Sequence, residues 1–143
     1  MNIISRFIIY LGLAILNGYI FNFFYNHFIN VEIDTFEKYS LPEKVLLVVF
    51  VAPIVETFFF QFLLFKLLSQ CFKIQNNIIC ILIMSFIFSQ SHWYHWLYVI
   101  MTFFSGLMLN TFYVTFYSKN RYIFWMTALL HALYNLYGIL FVQ

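Results

Sequence analysis

Four side chains that could together hydrolyse an acyl bond stand out against an apolar background. Glu56 lies in "VAPIVETFFFQFLLF" (Val51 to Phe65), His92 ends "FSQSH", and His131 and Asn135 share "HALYN". The last two are four residues apart, about 400° of helical rotation, so they project from one helix face. A carboxylate with an imidazole can hold and deprotonate a water. A second imidazole with an amide can donate hydrogen bonds to the oxyanion that forms when that water attacks a carbonyl. The chain has no GxSxG and no HExxH, and neither cysteine stands beside a histidine, so serine, zinc and cysteine hydrolase chemistry lacks its local signals. Each of the four also has an ordinary alternative. A protonated Glu56 can lock helix packing, and a histidine or asparagine can bond a neighbouring backbone carbonyl. His27 and His95 read as interfacial residues, and His92 with His95 has the spacing of a metal pair but no third ligand nearby.

The background itself decides the class of protein. Of 143 residues, 64% are hydrophobic and 8% charged, with 21 Phe and 11 Tyr, more apolar surface than one water-soluble core can hide. An ionisable group in a bilayer is costly, which makes Glu56 a functional candidate by its position alone. At about 20 apolar residues per span, the length accommodates an all-α membrane bundle of about five helices in one domain, residues 1–143, with a polar site inside it. The expected helices are Ile3 to Tyr25, Leu41 to Leu68, Asn77 to His92, Trp96 to Tyr117 and Tyr122 to Phe141. The first runs past the apolar length of a signal peptide and lacks a small-x-small cleavage site, so it reads as a retained helix. Ser40, Pro42 and Glu43 in "SLPEK" form a helix start with capping-box spacing.

Seven basic and five acidic residues are scattered, without the basic run a nucleic-acid binder carries. With the N-terminus in the cytoplasm, Arg6, Lys66, Lys73, Lys119 and Arg121 fall inside and Lys38 and Lys44 outside, the arrangement the positive-inside rule prefers. Cys71 and Cys80 have no CxxC spacing and are expected to pack. Gly12, Asn17, Gly18, Gly106 and Asn110 are expected at helix contacts.

These motifs resemble the CPBP intramembrane proteases, also called the CAAX protease and bacteriocin-processing or Abi family, which includes the type II CAAX prenyl endopeptidases. The family pattern is Glu-Glu-x-x-x-Arg, then Phe-x-x-x-His, then His-x-x-x-Asn or Asp, on successive helices. Here the three appear in order as "ETFFFQ", "FSQSH" and "HALYN", over a core of residues 41–140, with residues 1–25 as an additional helix. The resemblance implies that Glu56 is the catalytic glutamate, His92 its partner in activating water, and His131 with Asn135 the oxyanion pair, supported by Phe88 and by positions 57 and 61. Two positions depart from the pattern. Thr57 replaces the second glutamate and Gln61 the arginine, so a neutral hydrogen-bonding pair is expected where the family has an ion pair. Both charges are gone together, leaving neither unpaired.

The resemblance leaves a metal open. Zinc could take Glu56, His92 and His131 as ligands, but Asn135 suits an oxyanion hole better, and the expectation is no obligatory metal. The implied substrate is a membrane-associated peptide or protein, in a bacterial cytoplasmic membrane, with roles such as peptide maturation or bacteriocin self-immunity. Prenyl-protein processing is the less expected class, for want of extra helices to bind the lipid. A non-catalytic scaffold of the same fold and a proton-coupled carrier are the competing classes. The enzyme reading requires Glu56, His92, His131 and Asn135 to converge within about 3 to 8 Å on one water-accessible cavity.

Overall fold

The computed structural model describes residues 2–28, 39–93 and 95–141. Glu32, Asp34, Glu37 and Lys38 of the first loop lie outside the described residues. Five helices follow in order: α1 (Ile3–Phe28), α2 (Leu41–Cys71), α3 (Asn77–Gln90), α4 (Trp96–Phe116) and α5 (Ile123–Phe141). All but α3 are long and apolar enough to cross a membrane. The protein is an integral membrane protein, and α1 shows why most directly. Its apolar side chains run all round the helix, and only Ala14, Asn17 and Gly18 of its 26 residues are buried. Such a helix is stable only where the surroundings are as apolar as its surface.

The third helix is shorter than its sequence pattern predicts. It has 14 residues, about 21 Å at 1.5 Å per residue against a hydrocarbon core of about 30 Å. Its start is set by Asn76, whose side-chain oxygen accepts from the Ile78 and Ile79 N–H groups. Its end falls at Gln90, so His92 lies on the turn that follows and not on the helix.

At the start of α2 the expected cap forms, with the Ser40 N–H donating to the Glu43 carboxylate at 2.8 Å. The helix then departs from regular α geometry. Leu46–Val51, Thr57–Leu63 and Leu67–Cys71 wind as π-helix, with Pro53 in the α-helical turn between the first two. A proline inside a helix removes a donor and forces such a local rearrangement. The resulting π stretches bracket Glu56.

Close packing between α3 and α4 sets the floor of the bundle. Gly106 on α4 faces Ser85 and Phe88 on α3, and a Cβ there would stand 3.0 Å from the Phe88 ring and 3.3 Å from the Ser85 Cα. In lipid, helices associate through such small-residue contacts and through polar bonds. Phe88, Met84, Leu109, Phe112 and Leu130 form the centre of the core around this contact. The remaining small-residue expectations divide. Asn17 and Gly18 dock α1 on α4 and α5, and Asn110 links α4 to its neighbours, but Gly12 meets nothing within 4 Å. Cys80 is buried as expected, whereas Cys71, the last residue of α2, is exposed. The packing predicts that Gly106→Val destabilises the detergent-solubilised protein by about 1–3 kcal/mol, read as a lower Tm, because Phe88 and the α3 backbone must both move. Gly12→Val, at an open position, should leave Tm nearly unchanged.

Candidate active site

Helices α2 and α5 and the turn after α3 bring the predicted carboxylate and imidazoles together. Glu56 stands on α2 three residues beyond Pro53, and its Oε2 is buried with no hydrogen-bond partner. His131 Nε2 lies 3.5 Å from that oxygen and His92 Nε2 lies 3.7 Å from it. Neither separation is a good direct hydrogen bond. Both leave the carboxylate and the ring nitrogens near enough to share one small polar molecule lying beside them.

Local structure aims each ring. Because α3 ends at Gln90, the carbonyl of Phe88 loses the backbone donor four residues on that a continued helix would give it and keeps only a 3.3 Å bond from the Ser91 N–H. His92, four residues on, places its Nδ1 2.9 Å from that carbonyl oxygen, and Ser91 Oγ donates to the same oxygen at 2.7 Å. A carbonyl can only accept, so the bond places a proton on Nδ1, and when the ring is neutral the lone pair of Nε2 is the one that faces Glu56. The Phe-x-x-x-His spacing is therefore a statement about tautomer as well as position. Phe88 itself separates the two imidazoles, with ring centroids 4.6 Å from His92 and 5.8 Å, nearly edge to face, from His131. Phe60 packs against its other side at 5.4 Å. His131 is almost fully buried, and its Nδ1 has no hydrogen-bond partner.

Asn135 sits one turn beyond His131 on α5, as its spacing predicts, but its amide reaches α2. Nδ2 donates to the Val48 carbonyl at 2.8 Å. A shallow groove of about 290 Å³ runs along the same stretch of α2, lined by Leu47, Val48, Val51, Ala52, Val55 and Glu56. Its walls are aliphatic except at Glu56. Val51 and Val55 are exposed, so the groove opens on the outer surface of α2.

Thr57 and Gln61 are both fully buried but do not pair with each other as their spacing predicts. Thr57 Oγ1 and Gln61 Oε1 have no partners, and Gln61 Nε2 instead crosses to Asn110 Oδ1 on α4 at 3.1 Å. Asn110 Nδ2 continues to Ser85 Oγ on α3 at 2.9 Å, and Ser85 donates to the Ile81 carbonyl at 2.7 Å. The reason is directional. The amide of Asn110 lies inside the bundle opposite Gln61 and bonds it in line, and Gln61 belongs to a π-helical stretch whose side chains are rotated from α register. This chain ties α2, α4 and α3 together beside Glu56. Sequence reasoning placed Asn110 at a helix contact but overlooked Ser85. Its position seven residues before His92, about 700° of rotation, puts it on the same helix face and was the available signal.

Among the described residues, no group of three His, Cys, Asp or Glu side chains is placed to hold a metal ion. Glu56, His92 and His131, the three ligands expected for zinc, approach one another without forming such a group. His95 and His27 have local roles. His95 Nδ1 accepts from the Leu97 N–H as the cap of α4, and His27 Nδ1 bonds the Phe23 carbonyl.

A family model described as "Rce1-like: Type II CAAX prenyl endopeptidase Rce1-like" matches residues 40–137, from the cap of α2 to the last turn but one of α5. No curated protein and no solved structure matches the chain.

The Gln61–Asn110–Ser85 chain predicts non-additive energetics. Asn110→Leu alone strands Gln61 inside the bundle and should cost about 1–3 kcal/mol. Adding Gln61→Leu should recover part of that loss, which thermal unfolding of the three variants measures.

Proposed function

Because the chain belongs to the Rce1-like type II CAAX prenyl endopeptidase family, a family of proteases, we propose that it hydrolyses an internal peptide bond of a membrane-associated peptide or protein. One observation carries the reading. The otherwise unpartnered Glu56 Oε2 stands between two imidazole nitrogens, at 3.5 and 3.7 Å, beside an apolar groove on the outer surface of α2.

In the proposed reaction a water lies beside Glu56 and His92, within reach of both. The Glu56 carboxylate and the His92 Nε2 lone pair are both acceptors, so a molecule with two O–H donors satisfies them together. The water oxygen attacks the scissile carbonyl carbon while one water proton passes to Glu56. The new C–O bond forms as the carbonyl π pair moves onto oxygen. That oxyanion accepts from the His131 ring N–H and from the Asn135 amide hydrogen not donated to Val48. Collapse of the tetrahedral intermediate breaks the C–N bond, and Glu56 returns the proton to the departing amine. Atoms and charge balance without a metal or a covalent enzyme intermediate. The groove along Val48, Val51 and Val55 would hold aliphatic substrate side chains entering sideways from lipid. The charge distribution supports an N-terminus on the cytoplasmic side of a bacterial-type membrane.

The scaffold reading is favoured by one feature, the unpaired Thr57 and Gln61 oxygens beside Glu56, which leave that side chain less firmly held than an ion pair would. Glu56→Gln separates the two, since it keeps the shape and removes the base. Purified protein in nanodiscs, tested on peptides that accumulate in membranes of cells carrying the variant, should lose at least about 100-fold in cleavage rate. His92→Ala should do the same. A membrane peptidome unchanged by Glu56→Gln would sink the protease reading and favour the scaffold, and proton flux into liposomes abolished by the same change would favour a carrier.

A further inference from the structure

The site has one bond whose acceptor no side-chain pattern reveals. In a regular helix the Val48 carbonyl would receive the N–H of residue 52. Here the Ala52 N–H donates to Leu47, five residues back. In that register the next donor, the one due to Val48, belongs to residue 53. Residue 53 is proline and has no N–H. The Val48 carbonyl is thereby left without a backbone donor at membrane depth, where water cannot substitute. Asn135 Nδ2 supplies the bond at 2.8 Å.

We infer that Pro53 and Asn135 act as one positioning device: the proline opens an acceptor on α2, and the amide of α5 closes it, holding Glu56 against His131. Pro53 contributes only a missing donor, yet that gap decides where the Asn135 amide points. Glu56 is three residues beyond Pro53, and His131 is one turn before Asn135, so the tether and the 3.5 Å approach of Glu56 to His131 belong to the same α2–α5 contact. The bond also orients the amide plane. With one hydrogen committed to Val48, the other has a defined direction. The catalytic part of this inference rests on the protease reading, and the tether itself does not.

The test is a double-mutant cycle of Pro53→Ala and Asn135→Ala on the full chain in nanodiscs, read by Tm and, on a cleaved peptide, by kcat and KM. Pro53→Ala returns an N–H to position 53 and gives the Val48 carbonyl a backbone donor. Asn135→Ala should therefore lower Tm by roughly 3–5 °C in the native chain and by under about 1 °C in the Pro53→Ala background. Pro53→Ala by itself should hold or raise Tm while kcat falls on the order of 10-fold at constant KM, because the amide is no longer held. A proline acting only as a helix irregularity would not show that split. Equal Tm losses from Asn135→Ala in both backgrounds overturn the device, as does an unaltered kcat in Pro53→Ala. If the membrane peptidome is unchanged by Glu56→Gln but Tm remains coupled, the protease reading fails and the tether stands. If Pro53→Ala does not fold, the ¹³C shift of the Val48 carbonyl reads the same bond in the native chain. It should move on Asn135→Leu, and a constant shift overturns the proposal.

Discussion

Hydrocarbon offers no water to a polar atom, so every donor and acceptor carried into the bilayer has to be answered from within the bundle. In this protein that constraint organises the interior more than apolar packing does, because lipid is as apolar as the leucines and phenylalanines it touches. Among the described residues, side-chain hydrogen bonds connect the helices at three places. Asn17 of α1 donates to the Met101 carbonyl and to Ser105 on α4, and Ser105 in turn bonds Tyr134 on α5. Gln61, Asn110 and Ser85 join α2, α4 and α3. Asn135 joins α5 to α2. Each of the five helices is held by at least one of them.

Set against these answered groups are the buried atoms without partners among the described residues. Besides the Tyr25 and Tyr137 hydroxyls they are Glu56 Oε2, Thr57 Oγ1, Gln61 Oε1 and His131 Nδ1, which belong to the catalytic candidates and the two positions that follow Glu56 on α2. Stability would be served by pairing them, as the family's ion pair does at two of the positions. A hydrolytic site needs the opposite at one of them, a carboxylate whose partner is the substrate water. Thr57 and Gln61 are then a compromise of a different kind: they remove two charges from the membrane together, and the amide turns away to brace a neighbouring helix. The cost is that the support of Glu56 comes from backbone geometry and from Asn135 across the helix pair, not from a charge beside it.

Much of this was legible in the sequence. The membrane class follows from the scarcity of charge among so many phenylalanines, and helix borders follow from the Ser40 and Glu43 cap and from the polar turns. The motifs anticipated that Glu56 approaches His92 and His131, but not that the Asn135 amide is committed to the Val48 carbonyl. Three features were not legible, each because it depends on a neighbour in space. The Thr57–Gln61 pair is replaced by Gln61–Asn110, since the competing amide comes from a helix far along the chain. The third helix stops before His92, and the Phe88 carbonyl takes the Ser91 N–H, the Ser91 hydroxyl and the histidine ring once the turn closes. The exposure of Cys71 and the open surround of Gly12 reflect which faces the other helices cover.

What the sequence determined by itself is therefore the solvent, the periodicity and the chemical inventory. Residue type alone sets transfer energy and helix propensity, and a fixed rotation per residue turns spacing into a shared face. What only the tertiary structure decided is which lone pair faces which proton. The tautomer of His92, the gap between Glu56 and the two imidazoles, and the commitment of the Asn135 amide to Val48 all turn on backbone carbonyls. A carbonyl is carried by every residue alike, and whether it is free depends on register, on a missing proline N–H and on what the next helix brings within reach.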